Sequence, residues 1–226
     1  MAAALAAGCA GADGSPRVLA AASLTDVLPL IDDEAGYSFG GSAELATQVR
    51  EGAPADVFVS ADPDLARRLA ARGILTQVRR FGGNRLVIAV PSGDPASVRS
   101  PAGLDREGTR LVVAQPGVPV GDYARRALRR LGLESALDNV VSEERDTRSA
   151  LAKVALGEAD AAIVYATDVQ AAGGDVQAIS LPPEAQPEIR YAVGLLTDAA
   201  DGRRFVDRLT GPEGERILRS AGFGAP

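Results

Sequence analysis

The chain has 226 residues with 24 basic and 30 acidic side chains, and it contains no histidine, no tryptophan and a single cysteine. Without histidine, neither a Ser-His-Asp or Cys-His catalytic group nor a histidine-containing zinc site can be built. One cysteine excludes an internal disulfide and an all-cysteine iron–sulfur site, and a net charge of −6 argues against sequence-independent nucleic-acid binding.

The N-terminal segment, residues 1–16, consists mainly of small residues and contains the only cysteine, Cys9. Its stretch LAAGC resembles a bacterial lipoprotein box, in which a signal peptide is cleaved before a cysteine that then carries lipid. The basic region and most of the apolar region of a signal peptide are missing, which a start codon placed too far downstream would explain. The sequence therefore predicts a signal remnant and flexible leader with lipidation at Cys9. The alternative is a disordered leader with an incidental cysteine.

The rest of the chain alternates short apolar runs with amphipathic segments. We predict a strand at each of five apolar runs. They are RVLAAA, DVFVS, RLVIAV, RLVVA and AAIVY, at residues 17–22, 56–60, 85–90, 110–114 and 161–165. Apolar residues at helical spacing occupy 62–72, 123–131 and 148–156. This alternation predicts an α/β fold with mostly parallel sheets flanked by helices. No apolar run long enough to span a membrane follows residue 20.

Two loops indicate that one domain is inserted into another. The loop PSGDP at 91–95 follows a predicted strand, and the loop LPPEAQP at 181–187 precedes another. We therefore predict a first lobe of residues 17–91 and 188–226 and a second lobe of residues 92–187, with a ligand in the cleft between them. A single compact domain is the alternative.

Four predicted helix starts carry small or hydroxyl residues. They lie at Ser23, at Ser42, at Thr147 and in the segment PVGDY at 119–123. Each start presents unpaired backbone N–H groups and the positive end of a helix dipole, so together they would form an anion pocket without any charged side chain. Ordinary N-capping explains each start taken alone, and spacing alone does not establish that the four converge.

Segments along the whole chain resemble, in order, those of bacterial periplasmic molybdate-binding proteins, the substrate-capturing components of molybdate ABC transporters. They are AAASLT at 20–25, FGGSAEL at 39–45, GAPADVFVSAD at 52–62, VPVGDYA at 118–124, ERDTRSAL at 144–151 and GEADAAIVY at 157–165. Near the end, GPEG at 211–214 and GF at 222–223 are also similar. The resemblance covers residues 17–224.

The resemblance implies a type II periplasmic binding-protein fold, in which two lobes, each a mixed, mostly parallel sheet flanked by helices, close over a tetrahedral oxyanion. It implies that the ligand is held by Ser23, Ser42, Val120, Thr147 and Tyr165. The serines and Tyr165 would donate through their hydroxyls, and Val120 and Thr147 through backbone N–H groups. The same residues would hold the metal of molybdate through its oxygens. No catalytic residue and no cofactor are implied.

Two positions depart from the pattern of this family. The segment between Ser23 and Ser42 is several residues shorter than usual, so the first helix must be short, as Pro29 within it also indicates. Val120 stands where the family often has alanine. Because this residue contributes its N–H group, we expect the change to alter the shape of the pocket more than its hydrogen bonding.

The resulting hypothesis is capture of molybdate, and of tungstate, by a monomer that delivers it to the permease and ATPase subunits of an ABC transporter. We expect the protein outside the cytoplasm, on the periplasmic or cell-wall side, held to the outer face of the cytoplasmic membrane only by its lipid. One alternative is a binding protein for another tetrahedral oxyanion, such as sulfate. Two others are a serine-dependent small-anion transferase, for which Lys153 is the only lysine available as a base, and a ligand-sensing domain of a regulator.

Overall fold

A computed structural model of the chain describes residues 14–93 and 96–226. In chain order its strands are β1 (Arg17–Ala21), β2 (Gly36–Gly40), β3 (Val57–Ser60), β4 (Thr76–Asn84), β5 (Leu86–Pro91), β6 (Leu111–Ala114), β7 (Val140–Glu144), β8 (Ala161–Tyr165), β9 (Val176–Ser180) and β10 (Ile189–Leu195). The α-helices are α1 (Leu28–Ile31), α2 (Ser42–Arg50), α3 (Pro63–Ala71), α4 (Pro119–Leu131), α5 (Thr147–Ala155), α6 (Ala166–Ala172), α7 (Ala200–Thr210) and α8 (Pro212–Ser220). None of these helices is long and apolar enough to cross a membrane.

The strands form two sheets built on the same plan. The first has the order β2-β1-β3-β10-β4 and the second the order β7-β6-β8-β5-β9. In the first sheet β1 runs parallel to β2 and β3, and β10 runs antiparallel to β3 and β4. In the second sheet β6 runs parallel to β7 and β8, and β5 runs antiparallel to β8 and β9. Two mixed sheets flanked by helices confirm the predicted α/β class.

The first predicted boundary between the lobes needs correction. It assigned residues 85–90 to the first lobe, whereas β5 pairs with β8 and β9 in the second sheet. The chain therefore crosses between the sheets at Arg85, and the segment PSGDP, predicted as the boundary, begins at the last residue of a strand of the second sheet. A turn after a buried strand does not reveal which sheet that strand joins. The chain returns between β9 and β10, in the region of the predicted loop at 181–187.

We define lobe 1 as residues 14–84 and 189–226, and lobe 2 as residues 86–93 and 96–180. The central strands of both lobes are buried on both faces. Because successive side chains of a strand point to opposite faces, they pack into different hydrophobic clusters. In β1, Val18 and Ala20 join one hydrophobic cluster and Leu19 another. This double burial explains why such strands read as continuous apolar runs in the sequence.

Helix α1 has only four residues, with Pro29 at its second position. The short first helix predicted from the length of the segment before Ser42 is thereby confirmed. A 3-10 turn, Ala22–Leu24, follows β1 directly, so Ser23 lies at the end of the strand and not within a long helix.

Candidate anion-binding site

The structure brings all five predicted site residues to one small cavity between the lobes. The cavity has a volume of about 20 Å³, and its lining includes Ser23, Ser42, Val120, Thr147 and Tyr165. None of the five is more than 3% exposed. Two come from lobe 1 and three from lobe 2, so the site is complete only when the lobes are together.

Three helices begin at this cavity. Ser42 is the first residue of α2, Thr147 is the first residue of α5, and Val120 is the second residue of α4, after Pro119. The N–H groups of a first helical turn have no intrahelical acceptor, and the helix dipole places positive potential there. The three helix starts therefore make the cavity favourable for an anion without a charged side chain, as the sequence analysis predicted for starts that converge.

The hydroxyl of Ser42 is oriented by the backbone of a neighbouring loop. The N–H group of Ala61 donates to Ser42 Oγ at 3.1 Å. This bond uses an acceptor site on the oxygen and leaves the hydroxyl hydrogen to donate. Because Ser42 lines the cavity, it can donate to a ligand there.

The hydroxyl of Tyr165 is buried at the cavity and makes no hydrogen bond within the described residues. Tyr165 ends β8, and burial raises the pKa of its phenol well above 10, so the group stays neutral and can donate. Buried hydroxyls in proteins are nearly always hydrogen-bonded. The Tyr165 hydroxyl is thus a donor without a protein partner at the cavity, as a binding site for a ligand with acceptor atoms requires.

The hydroxyl of Thr147, in contrast, is already engaged. It donates to Asp168 Oδ2 at 2.7 Å, which leaves the backbone N–H group of Thr147 as its donor toward the cavity. Asp168 also accepts the N–H of Tyr165 at 3.3 Å and pairs with Arg148 Nε, 2.9 Å from its other oxygen. Sequence reasoning missed Asp168. Its place three residues after a buried strand, at the third position of α6, was the signal that could have found it.

A second carboxylate, Asp146, lines the cavity and is not among the predicted site residues. It caps α5, accepting the N–H of Ser149 at 2.9 Å and the Ser149 hydroxyl at 3.1 Å. Both oxygens therefore have donors within the protein. Among the described residues, no group of three or more His, Cys, Asp or Glu side chains could hold a bare metal ion.

Asp168 should make the stability of the ligand-free protein depend on pH. Burial raises its pKa from 3.8 to about 6, although Arg148 and the Thr147 hydroxyl oppose the shift. The folded state therefore binds the proton more tightly than the unfolded chain. The resulting stabilisation is present below about pH 4 and is lost as the pH rises to about 6, a change of about 3 kcal/mol in the free energy of unfolding.

Urea unfolding of the wild type and of Asp168→Asn between pH 4 and pH 7 measures this effect. The amide cannot titrate, so the variant does not lose this stabilisation. The difference in free energy of unfolding, variant minus wild type, should therefore increase as the pH rises through this window. Parallel pH profiles for the two proteins would contradict the assignment.

The two lobes are in close contact around the cavity. Gly41, immediately before α2, lies against the backbone of the other lobe, and a Cβ atom at this position would lie 2.3 Å from the carbonyl oxygen of Arg145. Arg148 of lobe 2 also forms an ion pair with Asp26 of lobe 1. The structure thus has the lobes closed over the site, and only glycine permits this approach at position 41.

A larger cleft of about 380 Å³ lies elsewhere between the lobes and contains none of the five predicted residues. Its lining is charged with both signs. Arg68 lies 3.5 Å from Asp62, and Arg190 lies 3.5 Å from Glu188. Because four carboxylates stand among the arginines of this lining, it suits a small anion less well than the neutral donors of the buried cavity.

Two lobes closed over a cavity of neutral donors define a solute-binding protein, and the comparison with known proteins agrees. The family described as bacterial extracellular solute-binding protein matches residues 32–224. The molybdate-binding protein ModA of Mycobacterium tuberculosis is 37% identical over 222 residues, covering 92% of this chain and 84% of that protein. The Escherichia coli ModA is 34% identical over 232 residues, covering 93% and 89%.

A solved structure shows the same architecture. The periplasmic molybdate-binding protein of Azotobacter vinelandii superposes with a TM-score of 0.78 at 22% identity, over 94% of this chain and 100% of that one. The two-lobed binding-protein fold predicted from the sequence is thereby confirmed. The chain belongs to the ModA family of molybdate-binding proteins.

Proposed function

We propose that this protein binds molybdate in the cavity between its lobes and presents it to an ABC transporter outside the cytoplasm. The observation that carries the proposal is the unpaired hydroxyl of Tyr165, buried at a cavity where Ser42 also has a hydroxyl hydrogen to donate. Membership of the ModA family supports the choice of ligand. The sequence resemblance supports the partners, a permease and an ATPase.

The chemistry of the lining favours an anion that carries no proton. Molybdate offers only acceptor oxygens, and the serine hydroxyls, the Tyr165 hydroxyl and the backbone N–H groups of Val120 and Thr147 would all donate to it. An anion that keeps a proton, such as hydrogen phosphate, needs an acceptor in the wall. The nearby carboxylates Asp146 and Asp168 are occupied by donors and cations of the protein.

Size and charge set the remaining preferences. Sulfate has shorter bonds than molybdate, so some donors would be left beyond hydrogen-bonding distance of its oxygens. Tungstate has nearly the same size and charge as molybdate, and we propose that it binds equally. Because the donors come from both lobes, the bound anion stabilises the closed arrangement, which then marks the loaded protein for the transporter.

We propose binding without turnover and without a cofactor. A serine transferase needs a base beside its nucleophile, and the only lysine, Lys153, is engaged with Glu158 at 2.6 Å. The hydroxyl of Ser23 is hydrogen-bonded to Tyr191, and that of Ser42 accepts a backbone N–H group. Within the described part of the chain, neither serine is hydrogen-bonded to a carboxylate or a lysine that could serve as a general base.

We also propose a monomer tethered to the membrane by lipid on Cys9, a residue that lies outside the described part of the chain. The support is the sequence LAAGC alone. Mass spectrometry on protein from its native host should find cleavage before Cys9 and added lipid mass, and an intact, unmodified N-terminus would disprove the anchor.

Thermal unfolding in the presence of molybdate, tungstate, sulfate and phosphate tests the proposed function. A ligand that binds only the folded state at a concentration of one hundred times Kd adds about 2.7 kcal/mol to the free energy of unfolding. For a chain of this length, that corresponds to a rise in Tm of about 5–10 °C. We expect this rise for molybdate and tungstate only. A large rise with sulfate and none with molybdate would overturn the ligand assignment.

A further inference from the structure

Beside the cavity lies a buried hydroxyl that the proposed binding does not itself use. Tyr191, on β10, is fully buried, and its Oη lies 2.9 Å from Ser23 Oγ. Its ring is packed among the rings of Phe81, Tyr165 and Phe223, with centroids 5.8, 6.2 and 5.4 Å away. The Tyr191 hydroxyl is therefore held in one place next to a predicted ligand residue.

Either hydroxyl could donate in the bond between Ser23 and Tyr191, and Asn84 decides which one does. The side-chain oxygen of Asn84 accepts the N–H of Arg85 at 2.9 Å, which fixes the orientation of its amide. Its NH2 group then donates to Thr167 Oγ1 at 2.9 Å and to Tyr191 Oη at 3.1 Å. Tyr191 is thus an acceptor from Asn84, and its own hydrogen needs an acceptor.

Only one direction of the chain of bonds leaves its unpaired hydrogen at the cavity, where a bound anion can accept it. If Ser23 donated to Tyr191, the phenol would accept twice and its own hydrogen would be buried without a partner, an arrangement that proteins avoid. If Tyr191 donates to Ser23, the chain runs from Asn84 through Tyr191 to Ser23. The hydrogen of Ser23 is then free to point at the cavity, which Ser23 lines.

We propose that Asn84 and Tyr191 are positioning residues that hold Ser23 as a hydrogen-bond donor to the ligand and so help to select fully deprotonated oxyanions. The proposal rests on the proposed function, because it requires an anion in this cavity. In this arrangement Ser23 accepts a hydrogen bond from within the protein and donates its own hydrogen to the cavity, as Ser42 does when it accepts from the N–H of Ala61. The two serines differ in that only the chain to Ser23 is built from side chains, so it can be altered by substitution.

Calorimetric titration with molybdate and with inorganic phosphate above neutral pH, where phosphate keeps one proton, tests the proposal. In Tyr191→Phe, the Ser23 hydroxyl is released and can donate or accept. We expect affinity for molybdate to fall about 10-fold, the loss of one oriented hydrogen bond. The ratio of molybdate affinity to phosphate affinity should fall as well, because a freed Ser23 can accept the proton of hydrogen phosphate.

Asn84→Asp should reverse the chain. The new carboxylate accepts the hydrogen of Tyr191, Tyr191 then accepts from Ser23, and Ser23 presents lone pairs to the cavity. We expect a loss of molybdate affinity of roughly 100-fold, since an acceptor now faces an anion. The added charge also repels the anion directly, so the same substitution is made in the Tyr191→Phe background, where the chain is cut but the charge remains.

The double-mutant cycle separates the two effects. A smaller effect of Asn84→Asp in the Tyr191→Phe background than in the wild type supports the chain, and equal effects in both backgrounds refute it. Tyr37→Phe is the matched control, because the Tyr37 hydroxyl is hydrogen-bonded to the backbone carbonyls of Leu28 and Asp32 in lobe 1 and does not line the cavity. It should leave both affinities unchanged.

The wild type distinguishes the failure of this proposal from the failure of the proposed function. A wild-type protein that does not bind molybdate overturns the proposed function, and the positioning role with it. A wild type that binds molybdate, together with a folded Tyr191→Phe variant of unchanged affinity and selectivity, overturns the positioning role alone. The Tm of each variant without ligand establishes that it is folded.

Discussion

Replacing Ser23 and Ser42 together by alanine should abolish the stabilisation of the protein by molybdate. Each serine lies at the cavity, and each is oriented by an internal donor, Tyr191 in one case and the N–H of Ala61 in the other. A hydrogen bond to a charged group contributes about 1.5–3 kcal/mol, so losing two should weaken binding roughly 10²–10⁴-fold. At a concentration that saturates the wild type, the rise in Tm should disappear.

The matched control removes two serine hydroxyls that do not line the cavity. Ser38 on β2 and Ser180 on β9 are exposed, one in each sheet, and their replacement by alanine should leave the rise in Tm intact. The rise is measured for each variant against its own ligand-free Tm, because removing Ser23 and Ser42 also leaves the groups that bond them without partners. A full rise in the Ser23→Ala/Ser42→Ala variant would place the site elsewhere.

The strands that could be predicted from the sequence are those buried on both faces. The predicted runs at 56–60 and 110–114 correspond to β3 and β6, in which every residue is buried. Strands β2, β4, β7 and β9 were missed. Four of the nine residues of β4 are exposed, two of these are arginines, and two of its three buried residues are glycines, so its apolar content gives no signal. Its strand conformation is set by pairing along β10, a contact between segments more than 100 residues apart.

The candidate site, too, could be predicted from the sequence only in part. The helix starts at Ser42 and Thr147 have local signatures, so they could be found in the sequence. That they meet at one cavity depends on the order of strands in two sheets, which spacing along the chain does not give. The partner of Ser23, Tyr191, is 168 residues away in the sequence. No local pattern distinguishes this tyrosine from one that only fills the core.

Replacing Gly41 by alanine should prevent the lobes from closing and should weaken molybdate binding by at least about 100-fold, as three of the five ligand residues belong to lobe 2. The backbone of Gly41 has φ −64° and ψ 131°, values that alanine adopts without strain. The obstacle is the added methyl group, whose carbon would lie 2.3 Å from the carbonyl oxygen of Arg145. Calorimetry measures the loss of affinity, and small-angle X-ray scattering should show no compaction when molybdate is added.

Gly36→Ala, on the same strand that leads to Gly41, is the control. A Cβ atom at Gly36 meets no atom within 4 Å, so the substitution adds the same methyl group where nothing opposes it. It should bind molybdate and close like the wild type. Because Gly41 offers no side chain to the ligand, a selective defect in Gly41→Ala would show that approach of the two backbones limits the affinity. Wild-type affinity in Gly41→Ala would mean that the Arg145 carbonyl yields and that closure tolerates a wider gap at this contact.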